Sequence, residues 1–223
     1  MKVRHPSPFR FPLKSPGFSL IEMLVVLAII GIVATLSIPA ITGAMRSYQL
    51  SATGQTIINQ LTLARQKAIS SSHAVQVRFY FLPGTNASSS ATPTTYRAMQ
   101  CFTEGDPVSS GGTTILPVSA LTKPFFFPAP VIVIANTQQS PLFSLSGQSG
   151  LVADPGNPLP VYGANYKYSY FRFRSNGSTD LSTSTNSITL MLENDALIAN
   201  GLPRNYETLQ IEPGIGSIRS FRP

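Results

Sequence analysis

A lone acid at the start of a long apolar run is the pattern in this chain that most strongly suggests chemistry. Glu22 follows Phe18 by four positions, and no Asp, Glu, Lys, Arg or His occurs between Met23 and Met45. As a helix, the 24 residues from Phe18 to Ile41 would reach about 36 Å, enough to cross a hydrocarbon core of about 30 Å. A carboxylate at mid-membrane costs about 2.5–3.5 kcal/mol, so such a residue is usually paired and functional.

The surroundings of this acid resemble a known processing signal. Residues 17–22 read G-F-S-L-I-E and precede an apolar helix, which resembles the cleavage and methylation segment of type IV pilins and type II secretion pseudopilins. In that family a prepilin peptidase of the membrane cuts after the glycine and methylates the new amine. The resemblance implies that Gly17 ends the leader, that Phe18 becomes the methylated mature N-terminus, and that Glu22 pairs with an N-terminal amine during assembly. Pro39 stands where the family often has a helix-breaking proline, and it is expected to serve assembly.

The spacing of Phe18 and Glu22 also has a physical meaning of its own. A cut after Gly17 would create an ammonium group four residues before Glu22, close enough to pair on one helix or across neighbouring helices. The positive end of the helix dipole also favours an acid in the first turn. Two alternatives stay open: an uncut signal anchor in which Glu22 caps the helix, and a secretory signal cleaved after the apolar run, near Ala40 or Ala44.

Charge favours a membrane-anchored protein whose domain lies outside the cytoplasm. The formal net charge is +7, from 16 Lys and Arg against 9 Asp and Glu. The chain after Gly17 keeps 12 of the basic and all 9 acidic side chains, a net charge of +3, because four basic residues lie in the leader: Lys2, Arg4, Arg10 and Lys14. A basic leader is a positive-inside signal. With the resemblance, this predicts a single-pass protein of the bacterial inner membrane, with a cytoplasmic leader and a periplasmic C-terminal domain.

Four segments are predicted along the chain: a basic leader over 1–17, a transmembrane and assembly helix over 18–41, an amphipathic continuation of that helix over 42–72, and a β-rich globular domain over 73–223. Pro39 and Gly43 interrupt the junction of the helical halves, since a proline removes a backbone hydrogen bond. The interruption is either a flexible joint used when subunits pack or an ordinary kink. The continuation is predicted from an apolar stripe with helical spacing: Leu50, Gly54, Ile57, Leu61, Ala64 and Ala68.

Residues after 73 change from helical to alternating periodicity, which predicts strands. The first strand starts at Val75, with its apolar side chains on one face and Gln76, Arg78 and Tyr80 on the other. The stretch 125–135 contains two prolines, so it is expected to be an edge strand or a broken one. The loops at 84–95 and 138–166 are expected to hold little regular structure. Further strands are predicted at 96–102, 168–174, 187–192, 208–212 and 217–221, the last two joined as a hairpin. The predicted fold class is α+β, with a long N-terminal helix packed on an antiparallel sheet, as in pilins.

Parts of the chain resemble a narrower group within that family. The sequence F-R-S-N-G at 173–177, a G-x-x-R-like stretch at 216–219 and the helix-to-strand sequence at 61–80 are similar to the minor pseudopilins that include the type II secretion H protein and FimT-like pilins. More narrowly, the chain looks like the pilin-like D proteins of a multi-gene cassette in Verrucomicrobia. The resemblance implies a structural subunit of a type II secretion or type IV pilus-like filament. Its partners would be a prepilin peptidase, other pilin-like subunits and an inner-membrane assembly platform.

No catalytic constellation, cofactor motif or metal site is predicted, and the chain is not expected to be an enzyme. The two histidines stand apart in the sequence, one of them in the leader, so no His and Cys cluster has metal-ligand spacing. The acid pairs Glu104 with Asp106 and Glu193 with Asp195 lack the oxygen-rich spacing of a calcium loop. The one cysteine, Cys101, lies too far along the chain for a lipoprotein anchor and is expected to be a small core residue.

Three arginines near the C-terminus suggest an alternative function. Arg204, Arg219 and Arg222 lie close to Tyr206 and Phe221, and arginines interleaved with aromatic side chains can bind a nucleic-acid backbone and stack on bases. FimT-like pilins are associated with DNA uptake, so the alternative is a membrane-anchored, DNA-binding minor pilin. A net charge of +3 after removal of the leader is small for such a protein. A further alternative is a membrane-tethered binding module that never polymerises.

Overall fold

One long helix precedes a β-rich domain. The computed structural model describes residues 17–82, 95–110, 113–144, 154, 156–164, 166–198 and 202–223, and for residues 36–40, 110, 113–115, 197 and 198 it describes the backbone alone. The helix, α1, spans Leu20–Ser71. The chain forms two compact units, Met1–Ala44 and Met45–Pro223. The basic leader side chains lie outside the described residues.

Local sequence explains both ends of α1. The hydroxyl oxygen of Ser19 accepts a hydrogen bond from the backbone N–H of Glu22 at 3.4 Å, as an N-cap serine does. At the other end Ser72 has a φ of 55°, and a left-handed residue commonly ends a helix. The ring Nδ1–H of His73 donates to the carbonyl oxygen of Ser71 at 2.7 Å, which satisfies one of the last helical carbonyls.

The apolar stripe predicted for the second half of α1 is confirmed. Its members from Leu50 to Ala68 are buried in the main core, where they pack with side chains from β-strands on the other side of the core. Cys101 belongs to the same core and is fully buried, as expected. Packing of one helical face, rather than intrinsic helix propensity, therefore stabilises this half of the helix.

Eleven strands follow α1 in the described part of the chain. The predicted strands are confirmed, with shifts of one or two residues at their ends, while three short strands and a short helix were not predicted. A 3-10 turn spans Pro141–Ser144, and the short helix α2 spans Glu193–Ile198. The strands are β1 (Val75–Phe81), β2 (Thr95–Glu104), β3 (Val108–Ser110), β4 (Thr113–Ile115), β5 (Val118–Ala120), β6 (Phe125–Phe126), β7 (Val131–Ile134), β8 (Lys167–Phe173), β9 (Ser187–Leu192), β10 (Tyr206–Ile211) and β11 (Ile218–Phe221).

Within the described residues, every strand except β3 and β4 joins one antiparallel sheet. Its order is β11-β10-β9-β7-β2-β1-β8, and β5 and β6 also pair with β2. The predicted α+β class is thus confirmed. The stretch 125–135 is broken at its prolines, as expected, but β7 lies inside the sheet between β2 and β9 and is not an edge strand. Its four residues include no proline, so their N–H groups can pair.

Strand β1 is buried on both faces, although polar and apolar side chains alternate along it. Gln76, Arg78 and Tyr80 are all buried. A second core lies on this face of β1, and it includes Leu159 and Tyr166 from a stretch that was expected to hold little regular structure. Its members are Tyr80, Leu82, Ala98, Phe102, Leu159, Tyr166 and Tyr168.

Two glycines let the end of β8 and the final hairpin meet on α1. Gly177 and Gly216 have φ values of 80° and 67°, which few other residues tolerate. A Cβ on Gly216 would lie 2.2 Å from the carbonyl oxygen of Gly177. The Nε–H of Arg65 donates to the carbonyl oxygen of Ile215 at 2.8 Å. The sequences at 173–177 and 216–219 are therefore neighbours in the fold.

Candidate processing and assembly segment

The peptide bond between Gly17 and Phe18 lies in open backbone just before α1. Both residues precede the first helical residue and are exposed, Phe18 over 70% of its surface. A Cβ placed on Gly17 would meet no described atom within 4 Å. Among the described residues, nothing covers this bond.

Glu22 lies in the first turn of α1, where the helix dipole favours a negative charge. Its backbone N–H is capped by Ser19, but a full capping box also needs its carboxylate to accept from the N–H of Ser19. The described residues contain no such bond and no ion pair to Glu22. The carboxylate is exposed and free to meet an amine.

The first half of α1 exposes apolar side chains on every side. A helix of this kind needs a covering partner or lipid, since a surface helix of a soluble protein carries a polar face. The exposed large apolar side chains, with 42–85% of their surface accessible, are Phe18, Leu20, Ile21, Met23, Leu24, Val25, Val26, Leu27, Ile29, Ile30, Ile32 and Val33.

The backbone of α1 continues through Pro39, whose side chain lies outside those described. The flexible joint predicted there stays a prediction. Among helices with described side chains, which leave out 36–40, none has the length and apolar character needed to cross a membrane.

Contacts bring two of the three C-terminal arginines into one region. Arg222 donates to the side-chain oxygen of Asn205 at 3.2 Å and to the hydroxyl oxygen of Ser51 on α1. The C-terminus therefore lies beside the segment that carries Arg204. Arg219 lies in β11, and no described contact joins it to the other two. All three are exposed, and their role in DNA binding stays a prediction.

A buried acid that was not singled out in the sequence lies against the same stretch of helix. Glu207 alternates with Leu209 and Ile211 on the core-facing side of β10, with 4% of its surface exposed. A Cβ on Gly54 of α1 would lie 2.5 Å from its Oε2, and this oxygen has no hydrogen-bond partner among the described residues. Burial raises the pKa of Glu207, and the charge of Arg222 opposes that rise. Its place in an apolar alternation was the signal that could have identified it.

Three of the four acids considered as metal ligands form ion pairs with basic side chains. No three His, Cys, Asp or Glu side chains among the described residues are close enough together to hold a metal ion. The pairs are Arg172 with Glu104, Arg97 with Glu193, and His73 with Asp106.

Comparison with known proteins gives one match, and it covers the segment described above. Neither curated proteins nor solved structures match the chain. Residues 13–38 match the family model described as the prokaryotic N-terminal methylation motif. This match contains Gly17, Phe18 and Glu22. The chain thus carries the N-terminal signature of type IV pilins and pseudopilins.

Proposed function

We propose that the chain is a structural subunit, a minor pseudopilin, of a type II secretion or type IV pilus-like filament. A prepilin peptidase cuts between Gly17 and Phe18 and methylates Phe18. The observation that carries the proposal is the exposed Gly17–Phe18 bond, which lies just before α1 and four residues before an acid without a described partner.

Cleavage supplies the partner that this acid lacks. Hydrolysis leaves a carboxylate on Gly17 and an ammonium on Phe18, and methylation of an amine keeps its positive charge. The ammonium of Phe18 then lies four residues before Glu22, at the N-terminal end of α1, so it pairs with the carboxylate at that end of the helix or with one on a neighbouring subunit.

Before assembly the N-terminal segment anchors the chain in the inner membrane. Residues 18–41 cross the bilayer once, the leader lies in the cytoplasm, and the domain lies in the periplasm. In the filament, contact between apolar helices replaces contact with lipid, which gives little net hydrophobic gain. Close packing and the pair at Glu22 therefore set the register of the subunits, with an inner-membrane platform and other pilin-like subunits as partners.

Glu22→Gln tests the proposal, because it removes the charge and keeps the shape of the side chain. In cells that make the filament, we expect the variant to be cut, N-methylated at Phe18 and retained in the membrane. We expect it to enter filaments about tenfold less, which corresponds to about 1.4 kcal/mol. Mass spectrometry of the N-terminus, membrane fractionation and recovery of sheared filaments measure these outcomes.

Glu212→Gln is the matched control, because Glu212 is an exposed glutamate after β10, and this variant should assemble normally. Normal assembly of Glu22→Gln would contradict the role of the pair. An intact Met1, or a mature terminus beyond Ala40, would contradict the processing. A processed wild-type protein that never enters a filament would be a membrane-tethered binding module.

A further inference from the structure

An uncharged groove runs between the second half of α1 and the segment around β6. Its volume is about 270 Å³, and no charged side chain lines it. Tyr48 is 75% exposed and Phe126 is 37% exposed, so two aromatic rings of the groove remain in contact with water. The side chains that carry the argument are Tyr48, Ala52, Thr56, Phe125, Phe126 and Pro128.

Three exposed basic side chains lie near residues of this groove, two of them in sequence and one through a contact with α1. Arg46 lies on α1 two residues before Tyr48, and Lys123 lies two residues before Phe125. Arg222 reaches α1 at Ser51. Arg46, Lys123 and Arg222 are exposed, and none of them forms an ion pair within the described residues. The acid beside this part of α1, Glu207, is buried, so the rim presents positive charge.

Chain length keeps the groove close to the proposed anchor. Tyr48 follows Ile41, the last residue of that anchor, by seven positions. Seven residues span at most about 25 Å even when fully extended. Tyr48, at one end of the groove, is therefore separated by no more than that length of chain from the end of the proposed anchor.

We propose that this groove and its basic rim, the lipid-facing patch, rest on the anionic phospholipid surface of the membrane that anchors the chain. Tyrosine rings concentrate at the boundary of headgroups and acyl chains, and phenylalanine inserts with the apolar face of interfacial segments. Arginine and lysine beside them bind lipid phosphates, because anionic leaflets attract basic side chains near the membrane. This inference rests on the proposed function only through the membrane anchor.

The patch gives the unassembled subunit a resting position. Its contacts with lipid break when the subunit leaves the membrane for the filament. A nucleic acid is the less suitable occupant, because the groove offers apolar volume between the cations, and one arginine of the DNA hypothesis, Arg219, has no described contact with the others.

The absence of tryptophan in the chain allows a direct test with a single fluorescent residue. The full chain carrying Phe126→Trp is reconstituted into vesicles of phosphatidylcholine, with or without phosphatidylglycerol and with brominated acyl chains as quenchers. We expect a blue-shifted emission and quenching that is at least about twofold stronger with the anionic lipid, because the basic rim responds to surface charge. Added salt should weaken the quenching.

Charge-reversal variants and a second probe position supply the controls. Arg46→Glu with Lys123→Glu, in the Phe126→Trp background, should abolish the effect of phosphatidylglycerol, whereas Arg219→Glu, an exposed arginine of β11, should preserve it. A probe at Ile215, as Ile215→Trp, should remain unquenched, because this residue contacts α1 at Arg65, about 26 Å along the helix from Tyr48. Far-UV circular dichroism checks that each variant is folded.

Several outcomes would overturn the patch. Equal quenching with and without the anionic lipid would exclude recognition of charge, and no quenching in an inserted chain would exclude contact with lipid. A probe that responds to duplex DNA instead would make the surface a nucleic-acid site, and a blue shift that depends only on protein density would make it a subunit interface. Failure of the chain to float with the vesicles would overturn the anchor as well, which separates the two proposals.

Discussion

Glu207 occupies a strand position whose alternation calls for an apolar side chain. It faces the core with Leu209 and Ile211, and its carboxyl lies against Gly54, the one member of the buried stripe of α1 without a side chain. Any larger residue at 54 would displace the carboxyl. A buried carboxylate costs free energy unless it is paired, and the charge of Arg222 offsets only part of that cost, since the net shift of the pKa of Glu207 is upward.

The raised pKa of Glu207 sets the sign of a pH dependence. The folded state holds the proton of Glu207 more tightly than the unfolded state does. The stabilisation that comes from this bound proton is therefore fully present below the ordinary pKa of 4.5. It is lost as the pH rises through the raised value. We expect Glu207→Gln to remove this dependence and to raise the free energy of unfolding at neutral pH by about 1 kcal/mol.

Urea unfolding of the purified protein in detergent, at several pH values, measures the difference between wild type and variant. Glu212→Gln, at an exposed site, should leave the curve unchanged. A Glu207→Gln variant that is less stable than wild type at neutral pH would show that the carboxylate is stabilising instead.

At the scale of elements, one arginine of β1 attaches Asp154, in the connection from β7 to β8, to the sheet. The guanidinium of Arg78 lies between the rings of Phe102 and Tyr168, at 4.1 and 4.3 Å from their centroids. Its Nη1–H donates to a carboxylate oxygen of Asp154 at 2.6 Å. The hydroxyl of Tyr166 donates to the carbonyl oxygen of Asp154 at 2.6 Å. These contacts hold Asp154 and Tyr166 against the second core, although the sequence around them is typical of a loop.

Asp154→Asn tests this fastening, because it leaves the buried charge of Arg78 without its counter-ion. The two side chains are 3% and 20% exposed, and removing one partner of a buried pair costs about 3 kcal/mol at the lower end of the usual range. We expect that loss of stability, together with faster hydrogen exchange in 156–166 than in β9. Asp106→Asn, whose side chain is 92% exposed, should change stability by less than about 0.5 kcal/mol. Unchanged exchange in 156–166 would show that other contacts hold the segment.

The lowered pKa of Asp154 sets the pH range in which its ion pair with Arg78 stabilises the fold. Burial acts to raise that pKa, but hydrogen bonds from Arg78 and Asn157 and the charge of Arg78 outweigh it, so the pKa lies below its ordinary value of 3.8. The stabilisation is therefore present above 3.8 and is lost as the pH falls through the lowered value. This pH dependence of stability has the opposite sign to the one expected from Glu207.

At the scale of the whole molecule, stability rests on packing, because a chain with one cysteine cannot form an internal disulfide. That cysteine belongs to β2 and lies in the main core, where its thiol is 3.9 Å from the carbonyl oxygen of Gln60 on α1. Burial raises the pKa of the Cys101 thiol to about 12, and a hydrogen bond with Thr122 opposes that rise. Little reactive thiolate exists at neutral pH.

Cys101 therefore reports on opening of the core as a whole. We expect a maleimide reagent to label the native protein at least about a hundredfold more slowly than the unfolded chain, because labelling requires exposure of a core residue. Mass spectrometry of timed samples, with and without urea, measures the two rates. Rapid labelling of the native protein would show that β2 separates from α1 without global unfolding.

Hydrophobic periodicity in the sequence predicted those helices and strands that are long enough to show a regular pattern of apolar residues. The stripe from Leu50 to Ala68 and the strand at 187–192 were predictable for that reason. Strands β3 to β5 and helix α2, with three to six residues each, are too short for a pattern to emerge. The position of β7 inside the sheet depends on pairing with β2 and β9, which the prolines around it do not indicate.

The amino-acid sequence by itself determined the match to the N-terminal methylation motif, because that pattern is local. Gly17, Phe18 and Glu22 lie within six consecutive residues, so their order and spacing carry the information. Only the tertiary structure decided the surroundings of Arg78 and Glu207, since a strand residue's burial depends on which distant segment covers it. Arg78 meets a carboxylate 76 positions later in the chain, and no local pattern records such a contact.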